Sequence, residues 1–222
     1  MHKEIFGFDV EKSWEYENGF YLTSQKNRLA TAIAHWELYK KVIDIPGEIV
    51  EVGTYKGTSL IRFLTYRDIS ESPCSKKVIS FDAFGRFPRT GRQEDDEFIQ
   101  EFEAGGGDGI SLGDLERILK LKHFENYELI EGDIFETIPR YLEKHKNLKI
   151  SILHVDVDAY SPTKFCMESL YEKVTRGGVI VLDDYTLVEG ATKAIDEFFR
   201  QHSNIRIEKL GLNYKPSYIV KK

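Results

Sequence analysis

Two cysteines in 222 residues, Cys74 and Cys166, are too few and too far apart to form a disulfide framework or a zinc centre, and both are read as free thiols. Long apolar runs are missing as well. The longest stretches, such as Gly178 to Leu182, fall far short of a bilayer span, which excludes a transmembrane helix. The opening segment MHKEIFGFDVEKSWEYENG mixes acids with apolar residues and lacks an apolar core followed by a small-residue cleavage site, so a secretory leader is not expected and the expected compartment is the cytoplasm. Runs of lysine and arginine are absent and the net charge is -6, which argues against nucleic acid as a partner, since a phosphate backbone needs a basic face. The G-x-G-x-x-G fingerprint, the P-loop, a Ser-His-Asp arrangement and internal repeats are also missing. The expected partner is a small molecule.

What is present is ordinary globular material, 41% apolar and 13% aromatic, in a length that suits one α/β domain over residues 1–222. Apolar residues at Leu29, Ile33, Trp36 and Val42 have helical spacing over Ser24 to Val42, until Pro46-Gly47 stops the pattern; residues 1–45 are therefore read as a helical extension. Short β-branched runs follow at Glu48 to Val52, Lys77 to Phe81, Tyr127 to Glu131, Ile150 to Val157 and Gly178 to Leu182. Helical candidates lie between and after them at Thr58 to Tyr66, Leu112 to Lys122, Ile134 to Lys144, Pro162 to Val174 and Glu189 to Arg200. This alternation predicts a doubly wound α/β fold with a parallel sheet. Ile205 to Leu210 and Ser217 to Val220 read as a closing β-hairpin. The outlier is residues 83–113, an irregular connection rich in glycine, acids and aromatics, read as an active-site lid with a short helix near Glu94 to Phe102.

Chemistry concentrates at predicted strand ends. EIVEVGTYKGTSL is a strand, a glycine turn and a helix start, so that Gly53, Thr54 and Gly57 let backbone approach a ligand at a helix N-terminus, and Glu51 is an acid suited to an ammonium group; a plain tight turn explains the same residues. Asp82 ends the next strand, where an acid can bind ribose hydroxyls or simply hold a turn. Gly132 and Asp133 can border an adenine, with a helix N-cap as the competing reading of Asp133. Asp156, Asp158, Asp183 and Asp184 end two further strands, and carboxylates gathered in one place call for protons or a hard cation such as Mg²⁺. Helix capping is the bland alternative for this group. His154 lies inside a predicted strand and reads as a core residue, while His2, His35, His123, His145 and His202 show no clustered spacing.

With these motifs in order, the chain resembles the macrocin O-methyltransferase family, metal-dependent enzymes acting on sugar hydroxyls. The residues that carry the resemblance are PGEIVEVGTYKGTSL, VISFDAFGRFP, GDIFETIP, LHVDVDAYSPTKFCMESLYEKVTRGGVIVLDDY and GATKAIDEFF. It implies a Rossmann-like class I methyltransferase fold, a seven-stranded, mostly parallel sheet with helices on both faces and a C-terminal β-hairpin. It also implies S-adenosylmethionine as cofactor, with Glu51, Gly53, Thr54 and Gly57 at its methionine end, Asp82 at the ribose and Gly132 and Asp133 near adenine. Asp156, Asp183 and Asp184 would bind Mg²⁺ or another divalent cation; Asp156 and Asp158 are the candidate catalytic residues, Asp158 being either the base or a further metal ligand. The acceptor would be a sugar or glycosylated metabolite, and the family habit is a homodimer. Methylation of a catechol-type diol, a nicotinamide oxidoreductase and a non-catalytic binding module are the rival readings.

Overall fold

The computed structural model describes residues 4–5, 7–89, 91–200 and 205–222. Its first elements are a two-residue ladder between β1 (Glu4–Ile5) and β2 (Phe8–Asp9), then α1 (Ser13–Thr23) and α2 (Lys26–Lys40). The remainder alternates: β3 (Glu48–Val52), α3 (Thr58–Ser70), β4 (Val78–Asp82), α4 (Gln93–Gly106), α5 (Leu112–Leu121), β5 (Tyr127–Glu131), α6 (Ile134–Lys144), β6 (Ile150–Val155), α7 (Tyr160–Leu170), β7 (Val174–Leu182), α8 (Glu189–Arg200), β8 (Glu208–Lys209) and β9 (Ser217–Val220). No described helix is long and apolar enough to cross a membrane.

Strands β3 to β9 form one sheet in the order β5-β4-β3-β6-β7-β9-β8. β3 to β7 run parallel, and β9 lies antiparallel to both β7 and β8, as expected of the closing hairpin. The central strands read as near-continuous apolar runs because both faces are covered. Val50, Val52, Ile79, Phe81, Leu153, Val155, Ile180 and Leu182 point into one core with α6 and α7. Ile49, Val78, Ile152, Val179 and Val181 point into the other with α2, α3 and α5, as the two-residue period of a strand requires.

Several boundaries differ from the sequence expectation for local reasons. The helix expected at Ser24 starts at Lys26, after Ser24 and Gln25 take extended backbone, and a separate helix, α1, precedes it with no buried residue. That absence explains why no periodicity betrays α1. α7 begins at Tyr160, so Pro162 occupies its first turn, where a missing N–H costs nothing. β7 begins at Val174, and the pairing with β6 shifts register between Ile150 and Ile152, absorbing Gly177 and Gly178. His2, His202 and residue 90 of the expected lid lie outside the described residues.

Arg67 ties the far end of the sheet together. Fully buried on α3, its guanidinium donates to the carbonyls of Lys76, Glu125 and Asn126 at 2.8–3.0 Å and to Asp68 Oδ1 at 2.8 Å, joining the segments that lead into β4 and β5. Replacing it by Met leaves the carbonyls of Lys76 and Glu125 without a donor, while that of Asn126 keeps the N–H of Val78. Urea unfolding is expected to show a loss of about 3 kcal/mol in Arg67→Met; a loss under about 1 kcal/mol would mean that water replaces the guanidinium.

Candidate active site

The strand order reverses direction at β3, which has β4 on one side and β6 on the other, and the crevice at the carboxyl ends of β3 and β6 is where an open α/β sheet binds ligands. Gly53 leaves β3 there with φ 89°, and a Cβ at this position would lie 1.7 Å from the carbonyl oxygen of Asp156. Glycine is thus required for the two strand ends to converge. Gly57 (φ 79°) precedes α3, whose first turn faces the same crevice.

Asp82 organises this turn. Its Oδ2 accepts the N–H of Thr54 at 2.6 Å and of Tyr55 at 3.2 Å, and its Oδ1 accepts the N–H of Phe84 at 2.6 Å. Burial raises its pKa against the pull of these three donors. The turn reading of Asp82 therefore holds, and the carboxylate still faces a cavity. Asp133 likewise caps α6, accepting from Phe135 N at 2.9 Å, while lining that cavity with Gly132.

Glu51 is placed differently. Its side chain is fully buried on the α2/α3 face, beside His154, which is its cross-strand neighbour in the β3–β6 pairing. Oε1 lies 3.1 Å from His154 Nδ1, and Oε2 accepts from Thr54 Oγ1 at 3.3 Å. Thr54 Oγ1 also bonds Ser80 Oγ. Glu51 thus reaches the crevice through Thr54. His154 is the core histidine expected, with Nε2 unpartnered among the described residues, and His35 on α2 stacks on Phe63 5.4 Å away. Burial lowers the His35 pKa to about 4, so it is neutral at pH 7.

The four expected aspartates all line one cavity, but they fall into two groups. Asp156, Asp158 and Asp184 present carboxylate oxygens within 4.8 Å of one another. Asp183 instead faces His35 and His154, and Lys215, on the segment leading into β9, donates to its Oδ2 at 2.6 Å. Asp158 adopts φ 57°, a left-handed conformation that aspartate tolerates, and its N–H donates to Asp184 Oδ2 at 2.9 Å. Burial, then the neighbouring carboxylates, hold Asp156 and Asp184 well above the usual carboxylate range, and burial raises Asp158. Burial would raise Asp183 as well, but the neighbouring histidines and the Lys215 ammonium more than offset it.

Two cavities meet at Gly53, Tyr55, Asp82 and Asp156. One, about 370 Å³, is largely apolar and is lined by Gly132, Asp133, Ile134, Phe135 and Val157 among others; the second, about 730 Å³, holds the acids. Residues 83–113 border both. Tyr55, Phe87 and Phe102 form an aromatic cluster with ring centroids 5.3–6.3 Å apart. The glycine run closes on the turn: the Tyr55 hydroxyl and Lys56 Nζ donate to the carbonyls of Gly106 and Asp108, and Ile110 N donates to Tyr55 O at 2.6 Å. The acidic EDDE run, opaque in the sequence, has a use here. Asp95, 3% exposed, accepts the N–H groups of Tyr160 and Ser161 at 2.9 and 3.2 Å and so caps α7 from another element.

A model of the Macrocin-O-methyltransferase (TylF) family matches residues 26–213. The chain belongs to this family. A Streptomyces olivaceus relative, 8-demethyl-8-(2,3-dimethoxy-alpha-L-rhamnosyl)-tetracenomycin-C 4'-O-methyltransferase, is 24% identical over 147 residues, 64% of this chain and 54% of that protein. Demethyldecarbamoylnovobiocin O-methyltransferase of Streptomyces niveus is 24% identical over 168 residues, 70% of this chain and 59% of that protein. The chain thus spans between half and two thirds of these relatives' lengths. The crystal structure of a calicheamicin methyltransferase superposes with TM-score 0.72 at 24% identity, covering 95% of this chain and 85% of that one, which establishes the class I methyltransferase fold for this macrocin O-methyltransferase family member.

The crowded carboxylates make a stability prediction for the metal-free chain. Asp156 and Asp184 release their protons at higher pH folded than unfolded, so their contribution to stability is complete below the ordinary value of 3.8 and is lost as pH rises through the folded values. Asp184→Asn removes one charge and keeps an acceptor for Asp158 N. At pH 7 it is expected to raise the metal-free Tm by roughly 2–4 °C, the shift that 1 kcal/mol produces in a chain of this size. The gain should vanish below pH 4, and a lower Tm at pH 7 would contradict the repulsion.

Proposed function

We propose that this protein transfers the methyl group of S-adenosylmethionine to a hydroxyl of a sugar or sugar-bearing small molecule, with Mg²⁺ or a similar cation at the acidic strand ends. The observation that carries the reading is the meeting of an apolar cavity with an acidic one at Gly53 and Asp156. Family membership supports it, as do two relatives named for O-methylation of a rhamnosyl tetracenomycin and of demethyldecarbamoylnovobiocin.

The residues fit both groups. Around the apolar cavity, Gly132 and Asp133 border the adenine. Asp82 offers the ribose what its three backbone donors leave of about four lone-pair sites. Gly53, Thr54 and Gly57 form the cradle for the methionine end, with Glu51 holding Thr54 in place. Asp156 and Asp184 are hard oxygen donors left short of positive charge, which a divalent cation supplies, and Asp183 stands charged beside them against Lys215.

When bound, the cofactor provides an electrophilic methyl group and the cation provides Lewis acidity toward the acceptor oxygen. The chain's own part is positioning and proton handling. Asp158, raised by burial and oriented by its N–H bond to Asp184, takes the acceptor's proton on its carboxylate. Tyr55, Phe87 and Phe102 keep water from the cofactor side as the lid of the site.

Calorimetry tests the division. S-adenosylmethionine affinity is expected to fall at least about tenfold in Asp82→Ala, the loss of one charged hydrogen-bonding group. The Asp183→Asn/Asp184→Asn variant should keep cofactor affinity while losing Mg²⁺ binding. A folded, unaltered chain that binds no S-adenosylmethionine would sink the reading.

A further inference from the structure

The basic side chains of the larger cavity are unevenly matched. Lys215 is tied to Asp183 and Lys56 to the Asp108 carbonyl. Arg28 on α2 and Arg62 on α3 line the same cavity, and neither guanidinium has a hydrogen-bond or ion-pair partner among the described residues. The contrast with Arg67, five residues along α3 and satisfied by four bonds, shows what a structural arginine looks like in this chain. Arg28 is exposed and Arg62 half-buried, near enough to Arg28 to feel its charge; burial lowers the Arg62 pKa and Arg28 adds to this, while Tyr66, Asp183 and Glu51 work against it without bonding to it. Two neighbouring guanidiniums with no direct ion-pair partner are a favourable place for an oxyanion to lie between them.

A second unpartnered group lies alongside. Asn27 Oδ1 is buried in the same cavity without a donor, a ready acceptor for a hydroxyl. The cavity is therefore polarised, with carboxylates at the sheet edge and guanidiniums at the α2/α3 side.

We infer that the acceptor is an anionic sugar, its phosphate or carboxylate held by Arg28 and Arg62 while its reacting hydroxyl faces the aspartates. This rests on the methyl-transfer reading for the hydroxyl end; the anion subsite stands on the arginines. The planar guanidinium fork suits either oxyanion and binds a neutral glycoside weakly.

The test is titration of the full chain, freed of metal on a chelating resin, with inorganic pyrophosphate, with glucuronate and with glucose, S-adenosylhomocysteine being titrated into the same preparations. At least one anionic probe should bind saturably and glucose should not. Arg28→Gln and Arg62→Gln should each weaken that probe about tenfold, the worth of one charged hydrogen bond, with S-adenosylhomocysteine affinity unchanged. Pyrophosphate preferred over glucuronate assigns a phosphate, and the reverse a carboxylate. Should Arg62→Gln lose S-adenosylhomocysteine and hence its fold, Arg62→Lys keeps the charge without the fork and should bind the anion more weakly than the unaltered chain. Absence of binding by both anions, or binding indifferent to all the substitutions, overturns the inference. An unaltered chain that binds anions through the arginines but no S-adenosylhomocysteine overturns only the methyl-transfer reading.

Discussion

Everything at the site depends on how closely β3 and β6 converge where the sheet changes direction. The carbonyl of Asp156 occupies the space a side chain at position 53 would need, so the glycine serves first as clearance between two strand ends. That single approach sets Asp156 beside the glycine turn and makes it a common wall of both cavities. The two cavities therefore open onto a common wall, as the proposed transfer of a methyl group from one to the other requires. The turn itself is held by Asp82, which bonds its N–H groups from the neighbouring strand, so geometry at β3 is enforced from both flanks.

Around this contact the protein keeps two kinds of buried polar group. Arg67 and Asp95 are satisfied and stabilise the scaffold, one closing the far end of the sheet and the other capping α7. Asp156, Asp158 and Asp184 crowd one another, while Arg28 and Arg62 have no hydrogen-bond or ion-pair partner among the described residues. Unsatisfied charge opposes folding, and a fold this size can bear it only because the apolar cores on both faces of the sheet are continuous. The distribution is informative: the satisfied groups sit in the scaffold, the crowded or unpartnered ones around the cavity where a ligand is proposed.

Much of the fold was legible in the sequence because strands covered on both faces write themselves as apolar runs and the helices between them as periodic ones. Glu48–Val52, Tyr127–Glu131, Ile134–Lys144 and Glu189–Arg200 stand where the pattern puts them. The pattern fails where burial is not its cause. α1 carries Trp14, Tyr21 and Leu22 exposed, so its helix leaves no amphipathic trace, and the start of β7 is set by a register shift against β6.

For the site, sequence gives residue types at strand ends but not the direction each side chain takes. Asp183 and Asp184 are adjacent, and adjacent residues leaving a strand diverge; one finds Lys215 thirty-two positions on, the other finds Asp158 N. Glu51 looks like a ligand for an ammonium until β6 places His154 opposite it. Arg62 was illegible for a sharper reason. An arginine on a helix next to a glycine turn is unremarkable in sequence, and its meaning lies in having no direct hydrogen-bond or ion-pair partner among the described residues, which only the packed surroundings disclose. Motifs thus point to the carboxylates at the strand ends, whereas the proposed anion subsite is read from guanidiniums without a direct partner among the described residues.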